Sequence, residues 1–595
     1  MADAKLTVAA VGAPGGTVAS QLAGRVTKLR QRRTGPLILE LDLTDGIAEG
    51  PPQDPVSALL TRRRTRLPDL LEGLKRASRD ERVRALVVKV GGSRIGLATI
   101  QELRAAISDF RKSGKLTVAW AESFGDFVRG NLPYYLATGF DRIYLQPSGT
   151  LGLTGVAVEQ VFLHDALAKL GIDFQSAKRY EYKSAADQLT ETGFTGPARE
   201  AAARLTESIT EQLAAAIAEG RQKTPEQARA LLEQGPFLAQ QALAEGLVDG
   251  LGYRDEVYDR VHKEAGLDAT LLYLQRYQRS HALAELPRRL PKVSHERFVA
   301  MIYAHGAIRQ GRSGRGPVGG GGLGSDTVAA ALRAAATDER ARAVVLRVNS
   351  PGGSYTASDV IWREVVRVRA AGKPVVVSMG DVAGSGGYFI SAPADVIVAQ
   401  PGTLTGSIGV IMGKPVLRDM FGRAGVNTDT VGEGTEIATM FSASRPFSDT
   451  EWERINAWLD AVYADFTEKV AAGRRMSVEQ VHELGRGRVW TGADAVANGL
   501  ADEAGGIHDA IAIARRRGGL PDDASVRIFP RLGPLDQLRP AESSEARPAA
   551  APVLTPGGVL AALFQDGWGP AWQFAARAGL PPYGPLMLPG SWRIS

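Results

Sequence analysis

Short apolar runs alternate with amphipathic stretches along most of this chain, in the order expected of strands followed by helices. LILELDL at 37–43 reads as a strand, 67–76 as a helix, and DERVRALVVKV at 80–90 as a second strand. RFVAMIYAHGAI at 297–308, helical TVAAALRAAA at 327–336 and DERARAVVLRV at 338–348 repeat that order, the last matching its counterpart 258 residues on. Such alternation predicts an α/β fold with mostly parallel sheets and flanking helices.

The internal match continues. KVGGS (89–93) answers RVNSPGGS (347–354), YYLATGFDRIYLQPSGTLGLTGV (134–156) answers YFISAPADVIVAQPGTLTGSIGV (388–410), and LAQQALAEGLVDGLG (238–252) answers WTGADAVANGLADEAGG (490–506). Two tandem repeats are therefore expected at 36–290 and 297–530, with a short linker near 286–296 and a Gly-rich, mobile loop at 311–324. A basic arm at 1–35 precedes them, and a Pro/Ala-rich tail at 531–595 follows, with Trp568, Trp572 and Phe574 near helical spacing.

The segment PVVVSMGDVAGSGGYFISAPA at 374–394 carries the first candidate chemistry. It reads as a strand at 375–379, a tight turn at 380–387 and a helix at 388–394. Ser385 then stands where free backbone N–H groups and a helix dipole favour an anionic intermediate. A Gly-rich turn that merely contains a serine has the same local signature.

Composition narrows the classes. At 595 residues, 44% apolar and 23% charged, the chain is an ordinary multidomain globular protein. With no cysteine, disulfides, thiolate metal sites and cysteine nucleophiles are excluded. The net charge of +6 is small for this length. Basic clusters at 25–33, 62–66 and 515–517 lack interleaved aromatics, which argues against nucleic acid and leaves a solvated face or contact with anionic lipid. No signal peptide or transmembrane span is readable, so a peripheral membrane or cytoplasmic location is expected.

The halves differ where it matters. Aligning Tyr134 with Tyr388, 254 residues apart, puts Asn131 opposite Ser385 and Lys183 opposite Ile437. One repeat keeps the serine and the other keeps the lysine. With RVNSPGGS, GDVAGSGGYFISAPAD (380–395), PGTLTGSIGVI (401–411) and EYKSA (181–185), the chain resembles the long, duplicated signal peptide peptidase A family, serine peptidases sharing the Clp protease and crotonase fold. The resemblance covers roughly 36–530. It implies Ser385 as nucleophile, Lys183 as general base, Ser407 as the residue orienting the lysine, and the Gly353 and Gly386 amides as oxyanion donors. It further implies a homotetramer that cleaves extended apolar peptides, such as released signal peptides or membrane-associated fragments, without cofactor or metal. Long forms usually carry an N-terminal anchor, and none is readable here.

A serine hydroxyl needs a neutral base within hydrogen-bond reach, and lysine serves if burial lowers its pKa. A Ser-His-Asp triad is the competing enzyme mechanism. None of the seven histidines stands in a recognisable motif, although His305 lies on the first strand of the second repeat. Ala383 also breaks the G-x-S-x-G elbow. A crotonase-type acyl-coenzyme A enzyme and a non-catalytic membrane-stress scaffold are the alternatives from other classes.

Overall fold

Apolar runs such as LILEL and AVVL become strands buried on both faces, because helices cover the two sides of each sheet. A computed structural model describes residues 34–51, 65–91, 95–126, 128–278, 296–315, 321–431, 436–530 and 586–587. The expected arm, the linker and nearly all of the tail lie outside the described residues, as do 316–320 of the Gly-rich loop.

The first repeat forms a parallel six-stranded sheet in the order Gly250–Leu251, Arg142–Leu145, Leu116–Ala121, Val83–Lys89, Leu37–Asp42, Thr270–Tyr273. The second repeat reproduces this order with Glu503–Ala504, Val396–Ala399, Val375–Gly384, Ala341–Ser350, Phe298–His305, Val526–Phe529. Its central strand also pairs with Leu404–Gly406, and that strand runs antiparallel to Val489–Thr491.

Matched polar contacts mark the duplication at atomic level. Asp141 accepts from Arg111 at 2.8 Å and from the Thr117 N–H at 2.9 Å, while Asp395 accepts from Arg369 at 2.9 Å and from the Val375 N–H at 2.8 Å. Tyr134 donates to the Leu247 carbonyl, and Tyr388 to that of Leu500.

The Gly-rich loop is more regular than expected. Gly321–Gly324 forms a strand parallel to Ala307–Arg309, and Gly314–Arg315 pairs antiparallel to its other edge, so its backbone groups find ladder partners.

The two repeats are joined by polar groups that neither could bury alone. Arg347, 1% exposed on a central strand, is held by Glu49 at 2.8 Å and Glu102 at 2.6 Å, both from the first repeat. Thr99 donates its N–H and hydroxyl to Asp381 at 2.9 and 2.8 Å. An antiparallel ladder between Asp173–Arg179 and Val410–Val416 completes the join. Among the described residues no helix is long and apolar enough to cross a membrane.

Candidate active site

Ser385 follows the strand Val375–Gly384 and caps the helix Gly386–Ser391. The turn is tighter than the sequence pattern predicts. The strand continues to Gly384 because Val382, Ala383 and Gly384 find ladder partners in Leu404–Gly406. The helix then starts at Gly386 and ends at Ser391, short of the expected 394. Ser385 absorbs the change of direction with φ +53° and ψ −113°, a conformation non-glycine residues rarely adopt outside functional sites. Its N–H donates to the Gly406 carbonyl at 2.8 Å, and its carbonyl accepts from Phe389 at 2.8 Å.

The cross-repeat ladder brings the lysine to this serine. Asp173–Arg179 runs into the 181–185 segment, and its partner Val410–Val416 leads away from Ser407. Lys183 Nζ lies 2.8 Å from Ser385 Oγ, 2.9 Å from Ser407 Oγ and 3.1 Å from the Ser407 carbonyl. All three residues are fully buried. Burial pushes the Lys183 ammonium well below its ordinary pKa, and no charged group among the described residues offsets it. The geometry suits the neutral amine, which has two N–H groups and one lone pair. The two N–H groups match the two oxygens of Ser407, and the lone pair is left for the Ser385 hydroxyl.

Gly352 and Gly353 form a short strand beside Ala307–Arg309, at φ +102° and +153°. A Cβ on Gly353 would fall 2.1 Å from the Ile308 carbonyl oxygen, so only glycine fits. A Cβ on Gly386 would lie 3.2 Å from the Gly353 nitrogen, which places the two glycines side by side at the turn. Gly386 opens its helix, so its N–H has no carbonyl one turn back to bind.

His305 is elsewhere. It faces Glu49 at 3.8 Å in the inter-repeat cluster, and burial lowers its pKa. Asp381, the carboxylate nearest Ser385 in sequence, is engaged by Thr99. Opposite Ser385 in the first repeat, Asn131 donates to the Gly155 carbonyl at 2.6 Å and accepts from the Thr154 N–H at 3.1 Å, so its amide stitches the loop closed.

Sequence reasoning missed the 486–488 loop. Gly487 (φ +88°) lies so close that a Cβ there would be 2.4 Å from the Lys183 nitrogen. Tyr182 donates its N–H to Arg486 O at 3.1 Å, Gly487 to Ile408 O at 2.7 Å, and Ser407 to Arg488 O at 2.7 Å. The loop therefore clamps both the lysine and the serine that holds it. The only available signal was a glycine between two arginines, 304 residues from Lys183.

The sequence model of peptidase family S49 matches residues 109–268 and 367–520, one stretch in each repeat. The chain belongs to peptidase family S49. It is 33% identical over 455 residues to Protease 4 of Salmonella typhi, covering 75% of this chain and 71% of that protein. Protease 4 of Haemophilus influenzae is 31% identical over 474 residues, with 78% and 74% covered. The chloroplastic serine protease SPPA of Arabidopsis thaliana is 29% identical over 490 residues, with 79% and 68% covered. Membership of the family makes the chain a serine-type peptidase.

Proposed function

We propose that Ser385 is the nucleophile and Lys183 its general base, in an endopeptidase acting on extended, apolar peptides such as released signal peptides or membrane-associated fragments. The observation that carries this reading is the 2.8 Å contact between Lys183 Nζ and Ser385 Oγ, with both residues fully buried. Burial leaves the amine neutral, so it can take the hydroxyl proton as Oγ attacks the peptide carbonyl. The developing oxyanion is stabilised by the N–H groups of Gly353 and Gly386, each worth about 3 kcal/mol by analogy with other serine hydrolases. The lysine ammonium then passes its proton to the leaving amine. Water, deprotonated by the same amine, releases the acyl group from Ser385. Ser407 binds both amine hydrogens and so points the lone pair at the nucleophile.

An extended substrate is favoured because the edge of the Gly352–Gly353 strand lies beside the turn that carries Ser385. A peptide adding there as a strand would present its backbone to the site. The test is hydrolysis of an unstructured apolar reporter peptide, with fluorophosphonate labelling of the serine. Ser385→Ala and Lys183→Ala should each fold and lose roughly 10³-fold or more in kcat. Full activity in a folded Lys183→Ala variant would refute the assignment of the base.

A further inference from the structure

The edge of the Gly352–Gly353 strand is already taken. Although the tail is otherwise outside the described residues, Leu586–Met587 forms a strand antiparallel to it, with Gly352 opposite Met587 and Gly353 opposite Leu586. The same two residues lie against Val410–Val416, the strand that leaves Ser407 and ladders with the segment leading to Lys183. The tail strand thus sits between the two walls of the site. One wall carries the glycine proposed as an oxyanion donor, and the other follows the serine that holds the lysine.

The sequence around this strand fits the occupant of such a groove. Residues 581–590 read PPYGPLMLPG and carry no charge. Leu586, Met587 and Leu588 form an apolar core bracketed by Pro585 and Pro589, which have no N–H to offer a ladder. The ladder is two residues long, which makes the contact short and reversible. Fifty-five residues, 531–585, separate the strand from the end of the second repeat, so binding is intramolecular and does not depend on protein concentration.

We infer that the chain's own C-terminal segment, centred on Leu586–Met587, binds in the substrate groove as an added β-strand and competes with peptide substrates. The inference rests on the reading of Ser385 as the site of peptide cleavage. It gives the peptidase a built-in restraint: a substrate must displace the tail, and anything that draws the tail away frees the edge.

The test is binding, so that it does not depend on turnover. A fluorescein-labelled peptide of residues 581–590 is titrated into the full chain carrying Ser385→Ala, with either the native tail or Leu586→Pro/Met587→Pro. The prolines remove the tail's ladder N–H groups in a segment that already contains several prolines. The labelled peptide should bind at least about threefold more tightly to the proline variant, as expected when a groove occupied for most of the time is freed. A labelled peptide carrying the same two prolines should not bind. Equal affinity for both chains, or no binding to either, overturns the inference. In the active chain, Leu586→Pro/Met587→Pro should lower KM for the reporter peptide by a similar factor with kcat unchanged. If the binding result holds while the active chain cleaves nothing, the peptidase assignment fails and the tail site stands.

Discussion

Gly487→Ala is the most informative single change, because it alters neither proposed catalytic side chain. The new Cβ would lie 2.4 Å from the Lys183 nitrogen and 2.6 Å from its Cα and Cβ. Carbon atoms in contact sit about 3.5–4.0 Å apart, so something must move by about 1 Å. The 486–488 loop is tied by hydrogen bonds to Ile408, Ser407 and Tyr182, so its own displacement also moves the lysine's surroundings. In either case the 2.8 Å Lys183–Ser385 contact opens beyond hydrogen-bond range. A misplacement of that size costs roughly 10²-fold in rate, about 2.7 kcal/mol of barrier. Alanine at φ +88° adds a backbone penalty of about 1–2 kcal/mol, which will lower Tm without unfolding the chain. The assay is kcat on the reporter peptide beside a calorimetric Tm. A folded Gly487→Ala variant with kcat within about threefold of wild type would refute the clamp.

Ser407→Ala removes the 2.9 Å contact to the amine and keeps the 3.1 Å carbonyl contact, so kcat should fall roughly 5- to 30-fold. KM should hardly change, and a KM effect alone would show that Ser407 serves binding instead. Lys183→Met should abolish turnover yet raise stability at neutral pH. The lysine's folded pKa is depressed by burial, so folding releases its proton, and every tenfold loss of proton affinity costs about 1.4 kcal/mol. The sign follows: the gain is largest below the folded pKa and vanishes as pH rises towards the free-lysine value. Melting curves from pH 6 to 10 that show a constant gap would contradict this.

How much was legible in the sequence depended on whether the signal was repeated. The alternation of strands and helices in both repeats could be read because the same apolar runs occur twice, and the serine and lysine stood out where the copies diverge. Ser407 lay in PGTLTGSIGVI, one of the segments on which the family resemblance rested. The 486–488 clamp was not readable, since a glycine's close approach to a backbone 304 residues away leaves no local pattern. Arg347 reads as the polar residue of a strand, and only the fold shows that Glu49 and Glu102 of the other repeat bury it. The extension of the central strand to Gly384 was hidden because its partner, Leu404–Gly406, lies twenty residues on. The tail strand was hidden because two residues have no periodicity.

The central claim is that a buried, neutral lysine activates Ser385, and the pH dependence of fluorophosphonate labelling at Ser385 tests it most directly. The rate should rise with a single ionisation well below the roughly 10.4 of free lysine and should collapse in Lys183→Met. A midpoint at the free-lysine value, or a Lys183→Met variant labelled as fast as wild type, would contradict it.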